Sequence, residues 1–481
     1  FKTGIVNIEA IDAGLGYIED AMELISNDLP DGLSVSLTVN GSEDNILTGN
    51  LSGEYESGTY HILGDLIIED SDTVHLQAGT KFLFDSGVRF FIHGMLKAIG
   101  TESDSIIFDN YGEDRWSGFT LENVSDETTF EYVRISGAEK DDGGGMFLLN
   151  SSPTLTHVTI SNNVAVEGGG MWLEDSNPTL SHVIISKNTA NFGSGGMSLD
   201  FSNPILTNVT ISNNTAGDGA GMTLYKSNPI LTHVNIINNT AKNGGGIYVI
   251  GSNPTITHSN IINNTAEFGS GILLEFSSPT LNHITISNNM AQYGGWIILY
   301  ESNPILTHTN IVNNTAGEEA GMILIDSNPT ITNSIIWDNS PESIFLENGD
   351  EEPIITYSDI EGGWIGEGNI DTDPQFTDST NDNYTLQSSS PCINTGIIIG
   401  DIEYCGSAPD MGAFEYCDEE CGAELADVSG DGQINILDLV QIANYILEVS
   451  IPQFECAADF NEDGQVNILD LVQIANYILN N

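Results

Sequence analysis

The amino-acid sequence predicts an all-β solenoid, a parallel β-helix of 25-residue coils, followed by a small α-helical domain. Proline carries the first observation. Pro153, Pro178, Pro204, Pro229, Pro254, Pro279, Pro304 and Pro329 are separated by six intervals of 25 residues and one of 26. The repeat reads S-N-P-x-L-T-H-V-x-I-x-N-N-T-A-x-x-G-G-G-M-x-L-x-x. A fixed period in this range marks an array whose units bury their apolar faces only by stacking on neighbours. The second observation is an asparagine that recurs in every repeat, and the third is a duplicated acidic segment at 427–447 and 459–479.

Within one repeat the apolar residues alternate over short stretches, as in Leu155, Val158 and Ile160 and then Met171 and Leu173. Such runs, bounded by Pro, Asn-Asn and Gly clusters, are strands of three to five residues and not helices. Three per coil make a parallel β-helix. Coils rising by about 4.8 Å would make the eight regular repeats roughly 38 Å long. The second Asn of each pair forms the ladder Asn163, Asn188, Asn214, Asn239, Asn264, Asn289, Asn314 and Asn339. It suits a left-handed turn, and its amide can hydrogen-bond along the axis. The Gly before Met (Gly170, Gly196, Gly221, Gly246, Gly271, Gly321) suits a corner with unusual dihedrals, and Trp296 replaces it once. A third column holds His157, His182, His233, His258, His283 and His308, with Asn208 and Asn333 in the gaps. Without a fixed partner ligand, it is expected to be a stacked polar corner and not a metal row.

The flanks extend this pattern. Gly58-Thr-Tyr-His-Ile-Leu-Gly-Asp-Leu-Ile-Ile, Gly79-Thr-Lys-Phe-Leu-Phe and Gly94-Met-Leu-Lys-Ala-Ile-Gly-Thr precede the repeats. Asp373-Pro-Gln-Phe, Ser390-Pro-Cys-Ile-Asn-Thr-Gly and Asp410-Met-Gly-Ala-Phe-Glu-Tyr follow them. Together with the repeat, these segments resemble the right-handed parallel β-helix superfamily of pectin-lyase-like folds. The resemblance covers 58–416 and implies fold and secretion, but not an activity, since the fold hosts many. Residues 1–57 lack the repeat. Tyr17-Ile-Glu-Asp-Ala-Met-Glu-Leu-Ile reads as a short helix and Leu33 to Val39 as a strand, expected to cap or link the open end of the solenoid.

Composition narrows the function classes. There are 69 acidic and 10 basic residues, a formal charge of −59, and no Lys or Arg beyond Lys242. This surface repels nucleic acid and acidic polysaccharides and invites divalent cations. No apolar run is long enough for a membrane span. A chain opening at Phe1 without Met is expected to follow a removed leader or a trimmed end, and a secreted, extracellular or cell-surface location is expected. In that setting the five cysteines, Cys392, Cys405, Cys417, Cys421 and Cys456, would form two disulfides and leave one thiol. The proposed pairs are Cys392 with Cys405, and Cys456 with Cys417 or Cys421.

The duplicated segment lies in a third region, 417–481. Its halves read D-V-S-G-D-G-Q-I-N-I-L-D and D-F-N-E-D-G-Q-V-N-I-L-D, each followed by the amphipathic L-V-Q-I-A-N-Y-I-L. Oxygen donors recur at loop positions 1, 3, 5, 9 and 12, with Gly at 6, the spacing of a calcium loop. Loop one offers Asp427, Ser429, Asp431, Asn435 and Asp438, with the Gln433 carbonyl at position 7. Loop two offers Asp459, Asn461, Asp463, Asn467 and Asp470, with the Gln465 carbonyl. Three like charges per loop repel without a cation, so folding and binding of two calcium ions should be coupled. The pattern resembles a type I dockerin, which implies a cohesin-like partner. By that resemblance Ile436-Leu437 and Ile468-Leu469 would help select it. Their identity in both halves permits docking in two orientations, and the apolar pair should bury in a partner or in the module's own core.

Candidate functional residues on the solenoid are of two kinds. One column runs Glu174, Asp200, Tyr225, Ile250, Glu275, Tyr300 and Ile325, with Asp175 beside it. Glu174, Asp200 and Asp175 are the candidate catalytic carboxylates, since a hydrolase needs two at suitable separation. Lyase chemistry is disfavoured, because the regular coils offer only Lys187, Lys226 and Lys242 as basic groups. Phe192, Phe268 and Tyr293 share a loop position, and Phe201 and Phe276 another, beside Tyr225 and Tyr300. These seven could form a platform for neutral glycans. The expected function is an extracellular structural, adhesive or glycan-binding β-helix attached through a calcium-dependent module. The alternatives are a polysaccharide hydrolase or lyase of a cellulosome-like complex, and a self-associating surface filament or layer subunit.

Overall fold

The computed structural model describes residues 45–317, 321–341, 344–346, 352–400, 404–417, 425–447, 452, 455–458, 460 and 466–480. The expected Tyr17 helix and Leu33 strand lie outside them. Each coil contributes one short strand to each of three parallel ladders, termed here the first, second and third faces. In one regular coil they are Thr154–Thr156, Thr159–Ser161 and Met171–Glu174. Successive coils stack in register, with Leu155 on Leu180, Ile160 on Ile185 and Leu173 on Leu199. A further short ladder, not expected from the sequence, forms after the Asn pair, as in Thr265–Ala266 and Met290–Ala291.

Alternation sorts each strand. Leu155, Val158, Ile160, Met171 and Leu173 are fully buried, while the residues between them face outward. Each such side chain is worth roughly 1.5–3 kcal/mol of burial. In the opening coils the core is aromatic instead. Phe84 stacks on Trp116 at 4.2 Å, and Phe90, Phe108 and Phe119 pack around them. The parallel ladders already include Asn45–Asn50 and Gly53–Tyr55, so the solenoid begins ahead of residue 58.

Three non-glycine corners of one coil are left-handed, at His157, Asn162 and Asp175, and Gly168 adds a fourth. This reassigns the turn: the first Asn of each pair, or Lys187 in its place, is left-handed, not the second. The second Asn is buried and holds the axis together. Asn239 Nδ2 donates to Asn264 Oδ1 at 3.0 Å and to the Ile211 carbonyl at 3.0 Å, and its own Oδ1 accepts from the Asn214 backbone at 2.9 Å. A buried Ser ladder does the same before proline, with Ser202 N–H donating to Ser227 Oγ at 2.9 Å. The Gly before Met is also reassigned. It is absent from the positive-φ residues, but a Cβ at Gly221 would lie 2.3 Å from the Gly246 carbonyl, so close approach of coils demands it. At Trp296 that corner differs, and the indole is buried in the core.

Beyond the last coils the chain folds back. An antiparallel pair, Phe376–Asp378 with Asn383–Leu386, leads a segment that packs on the second face. Asn288 Nδ2 donates to Tyr384 Oη at 3.1 Å, Ala413 N–H to Asn310 Oδ1 at 3.2 Å, and Ile397 N–H to Asn333 Oδ1 at 2.8 Å. Among the described residues a disulfide joins Cys405 to Cys417, and Cys392 is a free, buried thiol. The expected Cys392–Cys405 pair and the Cys417 alternative for Cys456 are therefore corrected, while Cys421, the other alternative for Cys456, lies outside the described residues. Cys392 Sγ donates to Asp359 Oδ2 at 3.2 Å, and burial raises its pKa and lifts Asp359 to about 6.

In the C-terminal module, α1 (Ile436–Ile446) and α2 (Ile468–Asn480) pack through Ile442 and Ile474 against Ala426, Val428, Ala457 and Ala458. Among the described residues, no helix is long and apolar enough to cross a membrane.

Candidate functional site

The outward residues of the third face fall into two columns. The one read from the sequence is in register as expected: Glu174 pairs with Asp200, Asp200 with Tyr225, Ile250 with Glu275, and Tyr300 with Ile325. The other was not singled out, and holds Phe147, Trp172, Ser198, Thr223 and Tyr248. Phe147 and Trp172 meet edge to face at 5.7 Å. Trp172 adjoins Asp200. Burial raises the pKa of the Asp200 carboxyl, the charges of Glu167 and Glu174 raise it further, and the Trp172 indole opposes them. Asp175 sits apart, exposed at its left-handed corner.

A lysine that sequence reasoning passed over closes this end. Lys140 lies on the strand Glu139–Asp142, one coil ahead of the first repeat proline, paired with Ala165. Its Nζ donates to Thr120 Oγ1 at 2.6 Å and sits 4.9 Å over the Phe147 ring. Burial lowers its pKa to about 8, against the opposing charge of Asp142. With Arg89, Glu139, Asp142 and Asn191 it lines a depression of about 410 Å³. Nothing in the repeat marks this lysine, and its place beside Ala165 emerges only from the register of the coils.

The seven candidate aromatics all lie on the surface, from 37 % exposed at Tyr225 and Tyr300 to 67 % at Phe192. Phe201 and Tyr225 form one edge-to-face pair, and Phe276 and Tyr300 another. Phe268 and Tyr293 lie tilted at 6.2 Å on the loop side. Lys226 Nζ rests about equally over Phe201 and Tyr225, at 5.1 and 5.0 Å. On the floor, Tyr248 donates to Glu275 Oε1 at 2.8 Å, and its pKa rises through burial and that bond.

The histidine column is a stack. His258, His283 and His308 lie nearly parallel, with centroids 4.9 and 4.7 Å apart. Asn208 and Asn333 meet the rings of His182 and His308 at 3.4 and 3.0 Å. Burial lowers His283 and His308 to about 4. Among the described residues, no group of three or more His, Cys, Asp or Glu side chains is gathered to hold a metal.

The first acidic loop at the C-terminus has a defined shape. Asp427 and Asp438 are buried at its centre, 2 % and 0 % exposed. Asp427 accepts from the backbone of Asp431 and Gly432 and from Ser429 Oγ. Asp438 accepts from the backbone of Ser429 and Asn435 at 3.1 and 2.9 Å, forming a capping box with Asn435 at the start of α1. Asp431 turns to the Gln433 N–H. In the second loop Asp470 is buried and accepts from Asn467 N–H, while Asp459, Asn461, Asp463 and Gln465 lie outside the described residues.

Residues 425–479 match the family model of the dockerin type I domain, and 174–303 and 233–381 match that of the right-handed β-helix region. The chain is a right-handed β-helix protein with a C-terminal dockerin. In the dockerin, Ile436, Leu437, Ile468 and Leu469 are 64 %, 58 %, 61 % and 58 % exposed, so burial in the module's own core is ruled out for both pairs. Val440 and Val472 extend each patch equally.

Among solved structures, the β-helix is similar to pectate lyase Pel9A, at 13% identity and a TM-score of 0.39, covering 75% of this chain and 88% of that one. It is also similar to the A-module of the Azotobacter vinelandii mannuronan C-5 epimerase AlgE4, at 12% identity and a TM-score of 0.27, covering 64% and 91%. No curated protein matches the chain.

Proposed function

We propose that this protein is a secreted, glycan-directed component of a multiprotein complex, held there by its dockerin through a cohesin-like partner. Its third face contacts an uncharged polysaccharide. The observation that carries this reading is the gathering of Phe147 and Trp172 with Lys140, Glu167 and Asp200 at one end of that face. Aromatic faces take the apolar side of a sugar ring, and neighbouring carboxylates and amides take its hydroxyls. The exposed pairs Phe201 with Tyr225 and Phe276 with Tyr300 lengthen the platform along the solenoid axis.

The dockerin's donors fit calcium. Buried Asp427 and Asp438 have no cationic side chain within the module, because the sequence has no Lys or Arg after Lys242. A buried charge needs such a partner, and all the remaining donors are hard oxygens. Asp427, Ser429, Asp431, Asn435, Asp438 and the Gln433 carbonyl would hold one ion. Asp459, Asn461, Asp463, Asn467, Asp470 and the Gln465 carbonyl would hold a second. The ion's charge offsets carboxylate repulsion and fixes the loop against its helix. The matched patches at Ile436-Leu437 and Ile468-Leu469 then offer the partner two equivalent docking modes.

A second reading is chain cleavage at the Lys140 end. Burial and the neighbouring carboxylates raise Asp200, and burial lowers Lys140 to about 8, the directions that suit an acid and a base. The deciding experiment is calorimetric titration of the intact chain with calcium, then with soluble neutral and acidic glycans, followed by assay of new chain ends. Two calcium sites and binding of a neutral glycan without cleavage support the first reading. New ends, lost on replacing Lys140 or Asp200, support the second. Failure to bind calcium or any glycan sinks both.

A further inference from the structure

The first face is as uniform as the third is varied. Between residues 151 and 337 the sequence holds fourteen Asp, Glu, Lys and Arg residues. None falls in the eleven positions that run from the buried Ser through the first and second faces, as in 151–161, 202–212 or 327–337. Stacking does not forbid charge in this solenoid, because Glu174 and Asp200 stack in register on the third face. A chain of net charge −59 has therefore kept one side neutral over eight consecutive coils.

The outward residues of the first face are Thr and Ile in one column and Thr, Ser or Asn in the other. Ile205, Ile230, Thr255, Thr280 and Ile305 follow one another in register. Ile205, Ile230 and Ile305 are 46 %, 48 % and 48 % exposed. In the second column the polar groups bond along the axis, with Thr232 to Thr257 at 3.2 Å and Thr307 to Asn282 at 2.9 Å. The second face is not equally open, because the C-terminal return segment lies over its last coils.

We infer that the first face is a second glycan site, one that lies flat on an ordered, insoluble, uncharged polysaccharide. Two arguments select that occupant. A neutral strip on a strongly acidic chain is the one surface that meets an uncharged solid without desolvating charge. The open first face by itself is also small for a second copy. Eight coils of about 4.8 Å and strands of three residues give roughly 400 Å², about half of what each partner buries in a specific protein interface. A polymer surface with its own repeat can engage all eight coils at once, and weak contacts then add through multivalency.

The inference rests on the glycan-directed reading above but uses a different face, so the two can fail separately. Adsorption isotherms of the intact chain on microcrystalline cellulose and on chitin powder, with calcium present, provide the test. Ile205→Glu combined with Thr255→Glu should lower adsorption at least tenfold while soluble glycan binding at the third face is unchanged. Ile230→Thr, a residue this column already uses, keeps the fold safe and should lower adsorption two- to threefold. Trp172→Ala should leave adsorption intact. Adsorption lost with Trp172→Ala and kept in the first-face variants would overturn the inference. So would no adsorption to either solid, or a dimer in sedimentation that the same Glu substitutions dissolve.

Discussion

The first and third faces of this β-helix are built on one backbone, with the same in-register stacking, yet their outward columns differ in character. The first face repeats Thr and Ile without charge over eight coils. The third changes from coil to coil, from Trp172 and Glu174 through Ser198 and Asp200 to Tyr248 and Ile250. A solenoid's stability comes from its inward columns and axial ladders, so its outward columns are free to differ. Uniformity on one side and variety on the other are what the two proposed contacts would require, one with a periodic surface and one with a particular stretch of chain.

The comparison breaks most violently if the shared scaffold is cut. Asn239→Ala removes two donated bonds and leaves a buried acceptor and donor without partners. It should cost roughly 3 kcal/mol or more, seen as a lower denaturant midpoint that disturbs both faces together. Chelating calcium should do the reverse and spare both faces. At a hundred- to a thousandfold excess of calcium over its dissociation constant, binding contributes about 3–4 kcal/mol. Chelation, or Asp438→Ala, should therefore lower a separate dockerin transition in calorimetry and leave the solenoid transition in place.

A smaller effect marks the histidine corner between the first two faces. The folded state holds His308 neutral down to about pH 4, whereas the unfolded chain takes up its proton near 6.5. The unfolded state thus binds more protons in that window, and stability falls as pH drops from 6.5 toward 4. His308→Asn, the residue found in the same column at Asn208 and Asn333, should remove roughly 1–2 kcal/mol of that loss at pH 5, measured as the difference in unfolding free energy between pH 7 and pH 5. The smallest change separates the faces most sharply. Trp172→Ala should weaken soluble glycan binding about tenfold, or about 1.4 kcal/mol, and leave thermal unfolding almost unchanged, because the indole is only partly buried.

Much of this was legible in the residues. Pro153 to Pro329 set the period, the second Asn of each pair marked the axial ladder, and Asp427 to Asp438 displayed the dockerin loop. Each is a local pattern repeated at fixed spacing. Lys140 was not legible, because it precedes the first repeat proline and acquires its lowered pKa only when burial on the third face takes it out of water. The roles of Asn162 and Asn163 were exchanged for a related reason. Both residues suit a left-handed turn, and only the packed coil decides which one turns inward. Cys405 pairs with Cys417 and not with Cys392 because the return segment carries Cys392 into the interior against Asp359.

The sequence by itself determined the coil, its three strands, its neutral and varied columns and the duplicated calcium loops, because these follow from periodicity and from residue chemistry at each position. Only the tertiary structure decided what stands next to what. Stacking set Trp172 beside Asp200, and burial beside like charge raised that carboxyl. The return segment closed part of the second face and left the first open. Exposure placed Ile436, Leu437, Ile468 and Leu469 outside the dockerin core. Proximity and desolvation depend on distances between distant parts of the chain, and a one-dimensional pattern does not carry those distances.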